Sequence, residues 1–210
     1  MSADPQVPLR ADARRNRDQI IAAARTIFAE YGPEVPMEEI ARAAGVGVGT
    51  LYRRFPDREA LIRAVAVDNF SRVLDDARQA AAEEPTAWQA LVRLIYQSVE
   101  LHLSVQLAMV SKKALEILKE DPAIAALRES LLSELEVLVR GAQREGTLRP
   151  DVAEGDVAML FALLLRQLES SSPEIAQMST ARSITIMIDG LRARPGTPLP
   201  GRPLSRHDIH

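Results

Sequence analysis

The cationic side chains of this 210-residue chain gather in two places, and both could meet phosphate. Arg10, Arg14, Arg15 and Arg17 are offset only by Asp12 and Asp18, and Arg53, Arg54 and Arg58 only by Asp57. The second group closes the stretch Pro36–Phe55, PMEEIARAAGVGVGTLYRRF, in which residue type and spacing say most. Met37, Ile40, Ala41 and Ala44 recur at the spacing of one helix face. Gly45 follows, a residue free to take the left-handed turn that swings a chain from one helix sharply into another. Val46 and Leu51 supply apolar contacts to hold the two helices across each other, and Ala41 must be small where they cross. This is helix-turn-helix logic, in which one helix braces against the DNA backbone and the next lies in the major groove. A plain helical hairpin shares much of the same pattern.

Other chemistries have little to build on. With no cysteine there is no disulfide, thiolate metal site or cysteine nucleophile. The three histidines are His102, His207 and His210, two of them at the extreme end of the tail, which leaves zinc-peptidase helices or a Ser-His-Asp triad almost nothing to build on. No metal and no cofactor is expected, and the chain reads as a binding protein, not an enzyme. Gly45–Gly49 alternates glycine with valine, but it lacks the preceding strand and the spacing of a phosphate loop. Acid pairs such as Glu38-Glu39 and Asp75-Asp76 are adjacent in sequence, so on a helix they diverge. Charge is informative only by segment: residues 1–63 carry ten arginines against nine acids, while the whole chain has net charge −3. A mildly acidic protein binds DNA if its cations are focused where phosphates arrive.

The elements that must position these residues are helices. Alanine, leucine, arginine and glutamate dominate, and no stretch alternates convincingly enough for a strand. Helices are predicted over about 12–31, 36–44, 48–55, 58–82, 87–103, 105–120, 122–146, 151–170 and 173–192. Asp57 should cap the fourth, and Thr86 with Gln89 forms a capping-box pattern at the fifth. Asp121-Pro122 marks the start of the seventh. Residues 1–11 are expected to be a flexible tail. Residues 194–210, with Pro195, Pro198, Pro200 and Pro203, are expected to be a disordered one. The longest apolar run, Val157 to Leu165, has nine residues, too short to cross a bilayer. With no basic-then-apolar leader at its start, the chain is expected in the cytoplasm.

The last two helices carry more apolar surface than one stripe needs. Val157, Leu160, Phe161, Leu164 and Leu168 align on one, Ile184, Ile188 and Leu191 on the other, while Met159, Leu163, Leu165, Ile186 and Met187 lie off the stripes. A helix apolar on more than one side has more than one thing to bury against. The stripe residues are taken as a subunit contact, with a core hairpin as the alternative.

Residues from about Asn16 to Val65 resemble the N-terminal DNA-binding domain of the TetR (tetracycline-repressor) family of bacterial transcription regulators. The resemblance rests on Ile20-Ile21-Ala22-Ala23-Ala24 with Ile27-Phe28-Ala29, on Tyr31-Gly32 and on Met37-Glu38-Glu39-Ile40-Ala41. It continues through Ala44-Gly45-Val46, Gly49-Thr50-Leu51-Tyr52-Arg53-Arg54-Phe55 and Asp57-Arg58-Glu59-Ala60-Leu61. Leu148-Arg149-Pro150-Asp151-Val152 is a weaker point of likeness. The resemblance implies an all-α protein: a three-helix DNA-binding domain over 12–57, then a helical effector-binding and dimerisation domain over 58–193. It implies a homodimer on an inverted-repeat operator in double-stranded DNA, repressing transcription until a small, largely apolar effector binds, with no membrane partner.

By the same resemblance Gly47, Val48, Gly49 and Thr50 open the recognition helix, where the backbone approaches DNA, and Tyr52 contacts a phosphate. Arg53 and Arg54 take positions used for bases or phosphates, and an arginine grips guanine through two bonds. Arg58 sits where a phosphate-binding lysine is common, and Arg14 and Arg17 could hold flanking backbone. Pro36 departs from the usual Thr or Ser, so no DNA contact is placed there. Effector residues are expected among Trp88, Tyr96, Val99, His102, Leu103, Gln106 and Arg166. For His102 a semi-buried structural role, and for Trp88 a core-anchor role, is the reading preferred to effector contact.

Overall fold

The computed structural model describes residues 6–98, 111–166, 173–194 and 196–209. The described elements are α1 (Gln6–Tyr31), α2 (Met37–Ala43), α3 (Val48–Arg54), α4 (Arg58–Glu83) and α5 (Ala87–Gln97). They continue with α6 (Lys112–Glu120), α7 (Pro122–Arg144), α8 (Glu154–Arg166), α9 (Pro173–Leu191) and a single 3-10 turn, Arg206–Asp208. The fold is all-α, and among the described residues the one β-type pairing is an isolated bridge between Leu148 and Arg192. Helix α1 begins at Gln6, earlier than Asp12, because Pro8 falls in its first turn, where a missing N–H breaks no intrahelical bond.

Caps fix where the helices start. The Asp57 carboxylate accepts the Ala60 N–H at 2.7 Å, the Thr86 hydroxyl that of Gln89 at 3.2 Å, and the Ser111 hydroxyl that of Ala114 at 3.2 Å. Glu145, far along the chain, accepts the two first N–H groups of α5, from Ala87 at 2.7 Å and Trp88 at 3.3 Å. A carboxylate at a helix N-terminus also meets the positive end of its dipole.

Two compact units divide within α4, after Asp68. The first contains α1, α2, α3, the start of α4 and α6. Its buried residues include Ile20, Ala24, Phe28, Ile40, Ala41, Leu51, Leu61 and Val65. Arg63 pairs with Asp121 at 2.6 Å and Lys113 with Glu59 at 3.5 Å, both tying α4 to the α6 segment.

The second unit holds the rest of α4 with α5, α7, α8, α9 and the C-terminal segment. Helix α5 packs on α7, and α8 on both α7 and α9. Val73, Trp88, Leu91, Leu138, Phe161 and Ile184 are central members of its core. The subunit stripe read from the sequence is therefore corrected. Val157, Phe161, Ile184, Ile188 and Leu191 are buried in this chain's own core, and Leu164 packs against it partly buried. Leu168 lies outside the described residues. Of the described stripe residues only Leu160 is exposed, together with Met159, Leu163 (53%), Met178 and Ile186 (68%) from outside the stripes.

The C-terminal segment is also corrected: it is irregular but docked. Leu199, Leu204 and Arg206 donate backbone N–H groups to Asp151, Asp156 and Glu154. Lack of regular hydrogen bonding does not leave a segment loose when side chains supply the acceptors. Arg149 is the buckle beneath it. Its Nε and Nη2 hold Asp151 at 2.6 and 2.8 Å, Nη1 reaches the Gly190 carbonyl at 3.3 Å, and Nη2 also reaches that of Thr197 at 3.0 Å.

The Arg149 guanidinium, aided by the Leu199 N–H and opposed by desolvation, lowers the Asp151 carboxyl from 3.8 to about 2. A lowered carboxyl stabilises the fold above its unfolded value, and that contribution fades as pH falls from about 4 through about 2. Asp151→Asn should thus lower the midpoint of thermal unfolding at neutral pH, with the gap from the parent shrinking below about pH 4. A gap independent of pH would show that the Asp151 charge is not what matters.

Candidate nucleic-acid interface

The turn between α2 and α3 sets the geometry of the site. Gly45 has φ +67°, the left-handed region that L side chains seldom adopt. Its N–H donates to the Arg42 carbonyl at 3.1 Å, and the Val46 N–H to the Ala41 carbonyl at 3.0 Å. This pair of bonds is a Schellman motif, which closes α2 and redirects the chain within two residues. Gly47 then stands at the N-cap of α3, its carbonyl accepting from Thr50 at 2.8 Å and Leu51 at 3.1 Å. Helix α2 packs against both α1 and α3.

Only one side of α3 is used for that packing. Leu51 is fully buried and Phe55, just beyond the helix, nearly so. Gly47, Val48, Gly49, Tyr52 (41%), Arg53 and Arg54 are exposed, and Thr50 is half-buried. The structure thus brings the expected side chains to one short exposed helix. Arg53 Nη2 donates to the Thr50 hydroxyl at 3.0 Å, and the Tyr52 hydroxyl donates to Glu38 of α2 at 3.3 Å. Neither Arg53 nor Arg54 has a carboxylate partner among the described residues. Two guanidiniums presented without counter-charge are suited to phosphates or to the acceptor edge of guanine. The Tyr52–Glu38 link has no signal in the sequence, because Glu38 reads as one of a solvated acid pair.

At the flank, Arg14 and Arg17 are exposed on α1, Arg17 lying 3.6 Å from Asp18. Pro36 stands at the N-cap of α2 without a side-chain bond, as its lack of a hydroxyl requires. Arg58 is placed differently from a free phosphate ligand. It is half-buried, and its Nη1 donates to the carbonyls of both Pro33 and Val35 in the loop before α2. A guanidinium in that position braces the α1–α2 loop.

These features define a helix-turn-helix DNA-binding protein that also has a second helical unit. Residues 20–65 match the family described as bacterial regulatory proteins, tetR family, and residues 84–193 match the SbtR-like transcriptional regulator C-terminal domain. The chain belongs to the TetR family of transcriptional regulators. A curated relative, the HTH-type transcriptional regulator UidR of Escherichia coli, is 29% identical over 198 residues, spanning 90% of this chain and 95% of its own. The TetR transcriptional regulator SCO0520 from Streptomyces coelicolor superposes with a TM-score of 0.67 at 32% identity, covering 84% of this chain and 98% of its own. A TetR regulatory protein from Mycobacterium vanbaalenii gives 0.63 at 34%, covering 88% and 99%.

Of the expected effector residues, Trp88 and Tyr96 have described side chains. Trp88 is a core residue, 7% exposed, with the Arg192 guanidinium 4.9 Å from its ring centre. Tyr96 is exposed, its hydroxyl 3.3 Å from that of Thr185. Val99, His102, Leu103 and Gln106 lie outside the described residues, as does the side chain of Arg166. Among the described residues no group of acids and histidines is placed to hold a metal ion, and no helix is long and apolar enough to cross a membrane.

The Arg58 brace makes a prediction that separates it from a phosphate contact. Arg58→Gln should lower unfolding stability by about 1.5–3 kcal/mol, the scale of hydrogen bonds to a charged group. The salt dependence of DNA binding should keep its slope, whereas loss of a phosphate contact reduces that slope by about one. Thermal unfolding and a salt titration check the two arms.

Proposed function

We propose that the chain is a homodimeric repressor that holds an inverted-repeat operator and is released when a small, largely apolar effector occupies its second unit. The observation that carries the DNA-binding half is the outward row Tyr52, Arg53 and Arg54 on a helix fixed by the Gly45 turn. In this reading Arg53 and Arg54 contact bases or phosphates and Tyr52 a phosphate. Gly47, Val48, Gly49 and Thr50 let the backbone approach the groove, and Arg14 and Arg17 hold the flanks. Val48 and the glycines offer few hydrogen bonds, so base reading falls mainly on the two arginines.

Dimerisation is supported by the apolar side chains left over once the core is filled. Met159, Leu160 and Leu163 of α8 and Met178 and Ile186 of α9 are all exposed. Large apolar side chains concentrated on two neighbouring helices suit a subunit contact. A second copy also gives the repeat its meaning, since paired recognition helices meet half-sites about 34–36 Å apart. Helix α4 is continuous from Arg58 to Glu83, beginning in the first unit and ending in the second. Occupancy of the second unit shifts α4 and with it the recognition helices, and a coupling of about 1–3 kcal/mol changes operator affinity severalfold or more. The reading is of a cytoplasmic regulator, not an enzyme.

Binding to the DNA upstream of its own gene, followed by anisotropy across a salt titration, tests the assignment. Arg53→Ala and Arg54→Ala should each weaken specific binding by about 1–3 kcal/mol. Unchanged affinity in both variants would remove α3 from base recognition. Sedimentation should find a dimer in the parent, and Leu163→Asp together with Ile186→Asp should produce folded monomers. A parent that sediments as a monomer at micromolar concentration rules out the dimer.

A further inference from the structure

The docked C-terminal segment is held by an unusual division of labour. Pro198, Pro200 and Pro203 carry no N–H, and their rings keep the chain extended. Donors between and beyond them go to three carboxylates of one short stretch: Leu199 to Asp151 at 3.2 Å, Leu204 to Asp156 at 3.0 Å and Arg206 to Glu154 at 2.6 Å. Glu154 and Asp156 belong to the first turn of α8. Arg206 also reaches across to α7, 3.4 Å from Glu129 and 3.6 Å from Glu136. The tip is closed on itself, with Arg202 gripping Asp208 at 2.8 and 2.6 Å and Asp208 accepting from the Ser205 N–H at 2.9 Å.

Gly155 is shaped for this contact. A Cβ there would stand 2.3 Å from the Leu204 carbonyl oxygen and 2.8 Å from that of Ser205. Both are backbone atoms, so the segment would have to lift away. Its outer part, residues 196–203, is exposed, while Leu204, Ser205 and Arg206 are half-buried. A cavity of about 220 Å³ remains between Ser205, Arg206 and the Val139 and Val152 side chains. The bonds that hold the segment to the body are polar.

We propose that residues 196–209 are a releasable clasp whose closure on the first turn of α8 sets the subunit interface carried by α8 and α9. The proposal rests on the dimer reading above. Among the described residues helix α8 spans thirteen, and Met159, Leu160 and Leu163 follow its gripped first turn directly. A short helix moves as a rod, so what fixes Glu154 and Asp156 also fixes where those apolar side chains stand. The clasp presents N–H groups and the Arg206 guanidinium, the body presents carboxylates, and the two are complementary in charge as well as shape.

The test is Gly155→Ala, alone and in a chain shortened to end at Arg194. Alanine is the better helix former, so without the clasp the substitution is neutral or favourable to α8. In the full chain it should expel the clasp, and trypsin should cut after Arg206 about tenfold faster, read by mass spectrometry; Arg202 precedes Pro203 and is no trypsin site. The dimer dissociation constant should rise about tenfold in Gly155→Ala and equally in the shortened chain, with no further rise when the two are combined. Unchanged cleavage would show that no clasp closes. Faster cleavage with unchanged dimerisation would show that the clasp does not govern the interface. A further rise in the combined variant would place the effect in α8 itself. These three outcomes overturn the proposal while leaving a dimeric parent intact; a monomeric parent overturns the dimer reading and the proposal together.

Discussion

One backbone conformation carries the DNA-facing end of this protein: the left-handed residue at Gly45, held by the Val46 N–H on the Ala41 carbonyl. Those bonds close α2 and aim α3 in the same stroke. Once they are made, Leu51 must point inward beneath the crossing, and helical geometry then sends Tyr52, Arg53 and Arg54 round the outside. A side chain at position 45 would not collide with anything nearby; the cost would come from φ alone. The constraint is therefore conformational, and it acts through direction. A small change in that turn would leave the arginines present and misaimed.

Local rules made this region legible in the sequence. The spacing of Met37, Ile40 and Ala41, a glycine directly after the helix, and Leu51 on the far side are all settled within about four turns of chain. The Asp57 and Thr86 caps were readable for the same reason. What escaped was set by partners distant in sequence. Arg58 reads as a free cation until the Pro33 and Val35 carbonyls are seen beneath it, and no local pattern marks Glu145, 58 residues from Ala87, as the cap of α5.

The helices α8 and α9 show how a correct observation led to a wrong assignment. Both have apolar residues on more than one side, which does imply two burial partners. The best-aligned stripe belongs to the partner that gives the larger and more regular contact, here the chain's own core with Val157, Phe161, Ile184 and Ile188. The residues left over, such as Leu163 and Ile186, form the less regular row that faces outward. The proline-rich end was misread in a related way. Proline and glycine forbid a repeating hydrogen-bond ladder, but Asp151, Glu154 and Asp156 provide acceptors one at a time.

Helix α4 bears on how a signal in the second unit would reach α3 in the proposed mechanism. Its first residue, Arg58, is bonded to the loop that leads into α2, so that end belongs firmly to the first unit. Its last residue, Glu83, meets Arg93 of α5 at 2.8 Å, with Glu84 alongside at 3.0 Å, so the other end is tied within the second. Between the ties the helix runs unbroken for 26 residues. A helix fastened only at one end would absorb a push by rotating freely at the other. One fastened at both ends passes it on, and the loop carrying Pro33 and Val35 is the first thing moved. That loop opens directly into α2, whose C-terminal turn aims α3, so in the proposed mechanism a displacement at Glu83 would arrive where alignment matters most.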